Sequence, residues 1–115
     1  MEIVVKRAYE TPSKADGYRA LVERMWPRAV TKEDLRIHEW CKTVAPSTAL
    51  CRWFGHDPAR FDEFASRYKA ELGASDALKQ LLERAKDHPR LTLVYGAKDT
   101  RFNQAVVLAD FLGAL

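Results

Sequence analysis

A chain of 115 residues is one domain by length, and at that size folding buries roughly two thirds of the surface of the extended chain, so no disulfide or metal staple is required. Hydrophobic residues at 47% and aromatic ones at 10% exclude a disordered chain. The net charge of +3 comes from 19 basic residues interspersed among 16 acidic ones, which disfavours specific nucleic-acid binding, where basic residues segregate onto one face or tail.

Glu2 to Arg7 sets β-branched Ile3, Val4 and Val5 in a row and predicts a buried strand. That apolar run is too short for a signal peptide, and nothing approaches the 18 or so apolar residues of a membrane span. A cytoplasmic location with no membrane contact is expected, and Cys41 and Cys51 are read as reduced thiols that pack as small apolar groups. Thr11 to Gly17 has loop chemistry. Tyr18 to Arg24 alternates, with Arg19, Leu21 and Glu23 on one side and Ala20, Val22 and Arg24 on the other, and predicts a second strand. Trp26-Pro27-Arg28 stops it, because Pro27 has no amide hydrogen and biases Trp26 away from helix.

Thr31, three residues ahead of Asp34, predicts a short turn of helix. Ile37 to Val44 reads equally as strand or continued helix until Ala45-Pro46-Ser47 ends it. Ser47 or Thr48 caps a helix to Phe54 that Gly55 closes, and Asp57-Pro58 starts another. Phe61, Phe64, Ala65, Tyr68 and Leu72 form that helix's apolar stripe, and Gly73 closes it. Ser75 caps a further helix carrying Leu78, Leu81, Leu82 and Ala85, ended by Pro89. Leu91 to Tyr95 is an apolar strand, and the helix from about Thr100 to Leu112 is apolar around most of its circumference. Strands separated by helices predict a single α/β domain over 1–115: a small three-layer fold with a partly parallel sheet of three to four strands.

In open α/β sheets ligands collect beyond the carboxyl ends of the strands. Two loops fit: Met25 to Ala29, and Gly96-Ala97-Lys98-Asp99. Parallel strands would gather Arg24, Arg28 and Lys98 as holders of a small anionic ligand, with Trp26 and Tyr95 as walls and Asn103 as an orienting amide. His56 or Asp99 would carry a proton if chemistry occurs. The competing reading pairs these cations with Glu23, Asp57 and Asp99. Two like charges about 6 Å apart at an effective dielectric near 20 repel by roughly 3 kcal/mol, so a true cluster needs internal carboxylates or a bound anion. His38, Cys41, Cys51 and His56 form an H-x2-C…C-x4-H arrangement, but without a C-x2-C pair no metal is expected. No P-loop, G-x-G-x-x-G or G-x-S-x-G occurs, and no cofactor is expected. A second reading is a non-enzymatic interaction or assembly module using Trp26 and Trp53, although Trp53, Phe54 and Trp40 also read as core; a monomer or weak homodimer is expected.

Glu23-Arg24-Met25-Trp26-Pro27-Arg28, Trp40-x-Lys42 with Ala45-Pro46-Ser47, Arg52-Trp53-Phe54-x-His56, Arg67-Tyr68-x-x-Glu71-Leu72, and Leu91 to Asp99 followed by Asn103-x-Ala105 together resemble the DUF488 family in its short YeaO-like branch. The resemblance spans nearly the whole chain. It implies a compact α/β fold and no particular activity, and it marks the Trp26-Pro27-Arg28 turn, the Ala45-Pro46-Ser47 segment and Lys98-Asp99 with Asn103 as family features. In that branch the positions of Glu23, Met25, Ala29 and Gly96 usually hold aspartate, leucine, glycine and alanine, so the loss of glycine after Arg28 is expected to alter that turn. A MarR-type regulator role, sometimes attached to such proteins, is disfavoured because the chain shows no recognition-helix clustering of basic residues.

Overall fold

A computed structural model describes residues 1–115. Four strands, β1 (Glu2–Arg7), β2 (Tyr18–Leu21), β3 (Glu39–Trp40) and β4 (Arg90–Tyr95), form one sheet in the order β1-β4-β2-β3. All three pairings are parallel, so the sheet is parallel throughout rather than in part. β4, last in the chain, lies between β1 and β2, with Leu93 opposite both Val5 and Ala20. The helices are α1 (Lys32–Leu35), α2 (Thr48–Phe54), α3 (Phe61–Gly73), α4 (Ala77–Ala85) and α5 (Gln104–Gly113). None is long and apolar enough to cross a membrane.

Side-chain chemistry sets most boundaries. Gly17, at φ +65°, leads into β2, where an added Cβ would lie 2.3 Å from the Arg90 carbonyl oxygen. β2 ends at Leu21 and does not continue to Arg24. The Val22 amide still donates to Val94 O at 3.0 Å, but the Gly96 amide, just past the end of β4, goes to the Glu23 side chain, and the backbone ladder gives way. Ile37 to Val44 resolves into β3 and a 3₁₀ turn, Lys42–Val44. The Ser47 hydroxyl caps α2 by accepting the Leu50 amide, and Gly55 closes it in the left-handed region. Asp57 caps a 3₁₀ turn, Pro58–Arg60, that runs into α3. α5 starts at Gln104 rather than Thr100, because the Asp99 carboxylate takes the Arg101 and Phe102 amides and Asn103 caps the helix.

Strand alternation separates two faces. Tyr18, Ala20, Val22, Leu91, Leu93 and Tyr95 point into the larger core, closed by Phe54, Phe64 and Tyr68 and by Ala105 and Leu108 of α5. Phe54 and Phe64 stack at 4.2 Å. Leu21 and Val94 point the other way, onto Ala8 and Leu35, with Trp26, Val30, Ile37 and Trp40 around them. That thinner layer rests on buried ions. Asp16 takes Lys6 at 3.0 Å and Arg19 at 2.7 Å, and the Arg19 guanidinium also donates to Leu35 O at 3.2 and 2.8 Å. Burial pushes the Asp16 carboxyl up, but the Ser13 amide, Lys6 and Arg19 outweigh it and hold its pKa below the ordinary carboxylate value.

Candidate functional site

β2 and β4 are neighbours whose chains part at their carboxyl ends: one loop heads towards β3, while α5 packs back on β1 and β4. Such a switch point opens a crevice. The two loops meet across it. Gly96 lies beside Pro27, the Gly96 amide donates to Glu23 Oε1 at 3.2 Å, and the Gln104 amide of α5 donates to the same oxygen.

On the larger-core side a cleft of about 430 Å³ opens here, within the range of small-molecule sites. Val22, Pro46, Phe54 and Phe64 give it an apolar lining; Glu23, Arg24, Thr48, Cys51, Arg52, His56 and Gln104 give it polar groups. Arg24 is set by Ala45-Pro46-Ser47: its Nε donates to Pro46 O at 2.6 Å, leaving both terminal nitrogens free of protein partners. That segment is itself clamped, since Ser47 donates its amide and hydroxyl to Glu71 of α3 at 2.8 and 2.6 Å. Arg52 projects from α2, exposed and without an ion pair. His56 follows Gly55 with φ 56°, the second of two left-handed residues, its ring 6.0 Å from that of Phe54.

Glu23 is the acidic group of the cleft. Burial raises its carboxyl pKa, against the opposing pull of the Gly96 amide, Gln104 and His56. Burial likewise pushes the Cys51 thiol up, with Glu23 adding to the effect, so Cys51 sits here as a protonated thiol.

The residues singled out in the sequence divide between the two sides of the sheet. Arg24 and His56 line the cleft. Trp26 crosses to the other face, where its indole N–H donates to Val30 O at 2.6 Å and its ring meets Trp40 edge-on at 5.4 Å. Arg28 and Lys98 are exposed on the same edge and do not line the cleft. Tyr95 is buried in the core, with its phenol pKa raised by that burial. Asn103 is buried as the α5 cap, accepting the Val106 amide at 3.0 Å and donating to Asp99 O at 2.9 Å. The Phe102 and Arg101 amides hold the Asp99 carboxylate pKa low. Arg24, Arg28 and Lys98 form no ion pairs, whereas Asp57 is matched with Arg60 at 3.8 Å. No group of three or more His, Cys, Asp or Glu side chains is placed to hold a metal ion.

Arg52 and Gln104 were not picked out as ligand groups from sequence, and Glu23 figured only as a counter-ion. A signal for Arg52 exists: Thr48, Cys51 and Arg52 stand at i, i+3 and i+4 on α2, one polar face opposite buried Leu50 and Phe54. Gln104 leaves only the trace of one amide at the start of a helix that is apolar but for Asp110. Two other hollows, of about 390 and 600 Å³, lie on the thinner face, and each includes a single Lys or Arg.

A family model described as "Inactive DUF488-N3 subclade" matches residues 2–115. The chain is 44% identical to "Uncharacterized protein YeaO" of Escherichia coli over 116 aligned residues, covering 100% of both chains. It is 44% identical to "Uncharacterized protein Rv3073c" of Mycobacterium tuberculosis over 108 residues, covering 94% of this chain and 91% of that one, and the same figures hold for "Uncharacterized protein Mb3100c" of Mycobacterium bovis. No solved structure matches the chain significantly.

Proposed function

We propose that this chain, which belongs to the DUF488 family, binds a small anionic molecule in the cleft between the loop after β2 and helix α2. The supporting observation is that Arg24 and Arg52, neither of them ion-paired, line one apolar-floored cleft together with His56. Guanidiniums with free terminal nitrogens suit a phosphate or carboxylate, which they can engage through paired hydrogen bonds. Arg28 and Lys98, on the same edge, add long-range attraction. Trp26, Tyr95 and Asn103 serve the site indirectly, by fixing the two loops. The word "inactive" in the matched subclade's description favours binding over turnover; where turnover occurs, His56 is the group placed in the cleft to carry a proton, with Asp99 outside it. A cytoplasmic monomer or weak homodimer fits this reading. Assembly through exposed indoles has less support, because Trp26 is hydrogen-bonded to Val30 and Trp53 lies beneath Arg60 and Arg67 at 5.4 and 4.4 Å.

Calorimetric titration with inorganic phosphate and pyrophosphate tests the proposal. A charge-assisted hydrogen bond contributes about 1.5–3 kcal/mol, so Arg24→Ala and Arg52→Ala should each weaken binding by roughly 10- to 100-fold. Arg28→Ala should cost only a small factor that disappears with added salt. Binding to wild type that neither cleft variant changes would remove the proposal.

A further inference from the structure

The cleft holds a carboxylate among its cations. Glu23 Oε1 is fully used, accepting the Gly96 amide and the Gln104 amide. Oε2 accepts no hydrogen bond from the protein, and no Lys or Arg is ion-paired with Glu23. Oε2 is open to solvent on the cleft wall, where the Glu23 carboxylate repels any purely anionic guest that Arg24 and Arg52 attract. A guest that also carries a cationic donor turns that repulsion into attraction.

We infer that the cleft selects zwitterions: a phosphate- or carboxylate-bearing molecule that also carries an ammonium group, its anionic end on Arg24 and Arg52 and its ammonium on Glu23 Oε2. This inference rests on the cleft being the anion site proposed above and adds the feature of the ligand that Glu23 recognises. Gln104 and the Gly96 amide hold the carboxylate in place by engaging its other oxygen, which makes them positioning groups. The apolar floor of Phe54 and Phe64 suits the short carbon chain that joins the two charges.

The test compares phosphoethanolamine with ethyl phosphate, which matches it but lacks the amine, by calorimetry on wild type and Glu23→Gln. The glutamine carbonyl can keep both hydrogen bonds now made to Oε1 while losing the charge, and an unchanged melting temperature checks that the fold survives. Wild type should prefer the amine-bearing probe by about tenfold or more, and Glu23→Gln should abolish that preference while still binding ethyl phosphate. Equal affinity of wild type for the two probes overturns the inference and leaves the anion site standing, as does a preference that persists in Glu23→Gln. Failure of inorganic phosphate and both probes to bind wild type overturns both.

Discussion

Ser47→Ala tests whether the Ala45-Pro46-Ser47 segment is what holds Arg24 in the cleft. The hydroxyl does two jobs: it accepts the Leu50 amide at 3.2 Å as the cap of α2, and it donates to Glu71 Oε2 at 2.6 Å. Losing an N-cap costs about 1 kcal/mol. Losing a hydrogen bond to a charged group costs about 1.5–3 kcal/mol, and the lower end applies because Glu71 is only half-buried and keeps the Ser47 amide at 2.8 Å. The sum is roughly 2–3 kcal/mol, which at about 4 °C per kcal/mol for a domain this size lowers the melting temperature by about 8–12 °C. Thermal unfolding followed by circular dichroism measures it. Phosphate affinity should fall as well, although Ser47 does not line the cleft, because Pro46 O is the anchor of the Arg24 Nε. A melting temperature within about 3 °C of wild type, or a destabilised protein that binds phosphate undiminished, would refute the reasoning.

Ala29 sits at φ 60°, the position the resemblance gives to glycine, so the turn keeps its left-handed residue and the alanine carries the strain. Ala29→Gly should therefore stabilise by about 1 kcal/mol, read from denaturant midpoints, and a loss of stability would count against the turn geometry. At the opposite edge, burial, with His88 and Arg19 adding to it, holds the His38 imidazole below its ordinary pKa, while its Nδ1 accepts the Arg19 amide at 3.0 Å. Tyr18 stacks on the same ring at 4.8 Å and His88 meets it edge-on. Because the unfolded chain takes up this proton first, His38 contributes stability above pH about 6.5 that drains away as pH falls through the lower folded value. Urea unfolding at pH about 7.5 and about 5.5 should show that loss, and His38→Asn, which can still accept from Arg19, should flatten it; an equal slope in the variant would contradict the assignment.

Local chemistry announced most of the elements. Asp57-Pro58, Ser47 with Gly55, and the Phe61 to Leu72 stripe each state their own structure within a few residues. The places where the chain departs from local pattern are those where a distant partner intervenes. β2 stops at Leu21 because the Gly96 amide, 73 residues on from Glu23, turns to a side chain. α5 starts late because Asp99 and Asn103 spend their side chains on backbone amides. Arg24 and Trp26, two residues apart, part company because the loop crosses the end of the sheet, taking Arg24 to Pro46 and Trp26 to Trp40.

From sequence alone came the α/β class, the caps at Thr31, Ser47 and Asp57, the interspersion of acidic with basic residues, and the idea that cations gather beyond the strand ends, since each depends on residue type and near-neighbour spacing. Only the tertiary structure decided that the sheet is parallel throughout, that β4 inserts between β1 and β2, and that Arg24 shares its cleft with Arg52 and Glu23 rather than with Arg28 and Lys98. Those outcomes depend on which strand pairs with which and on which side of the sheet a loop leaves it. Both are set by burial of the two apolar faces as a whole, and no single segment carries that information.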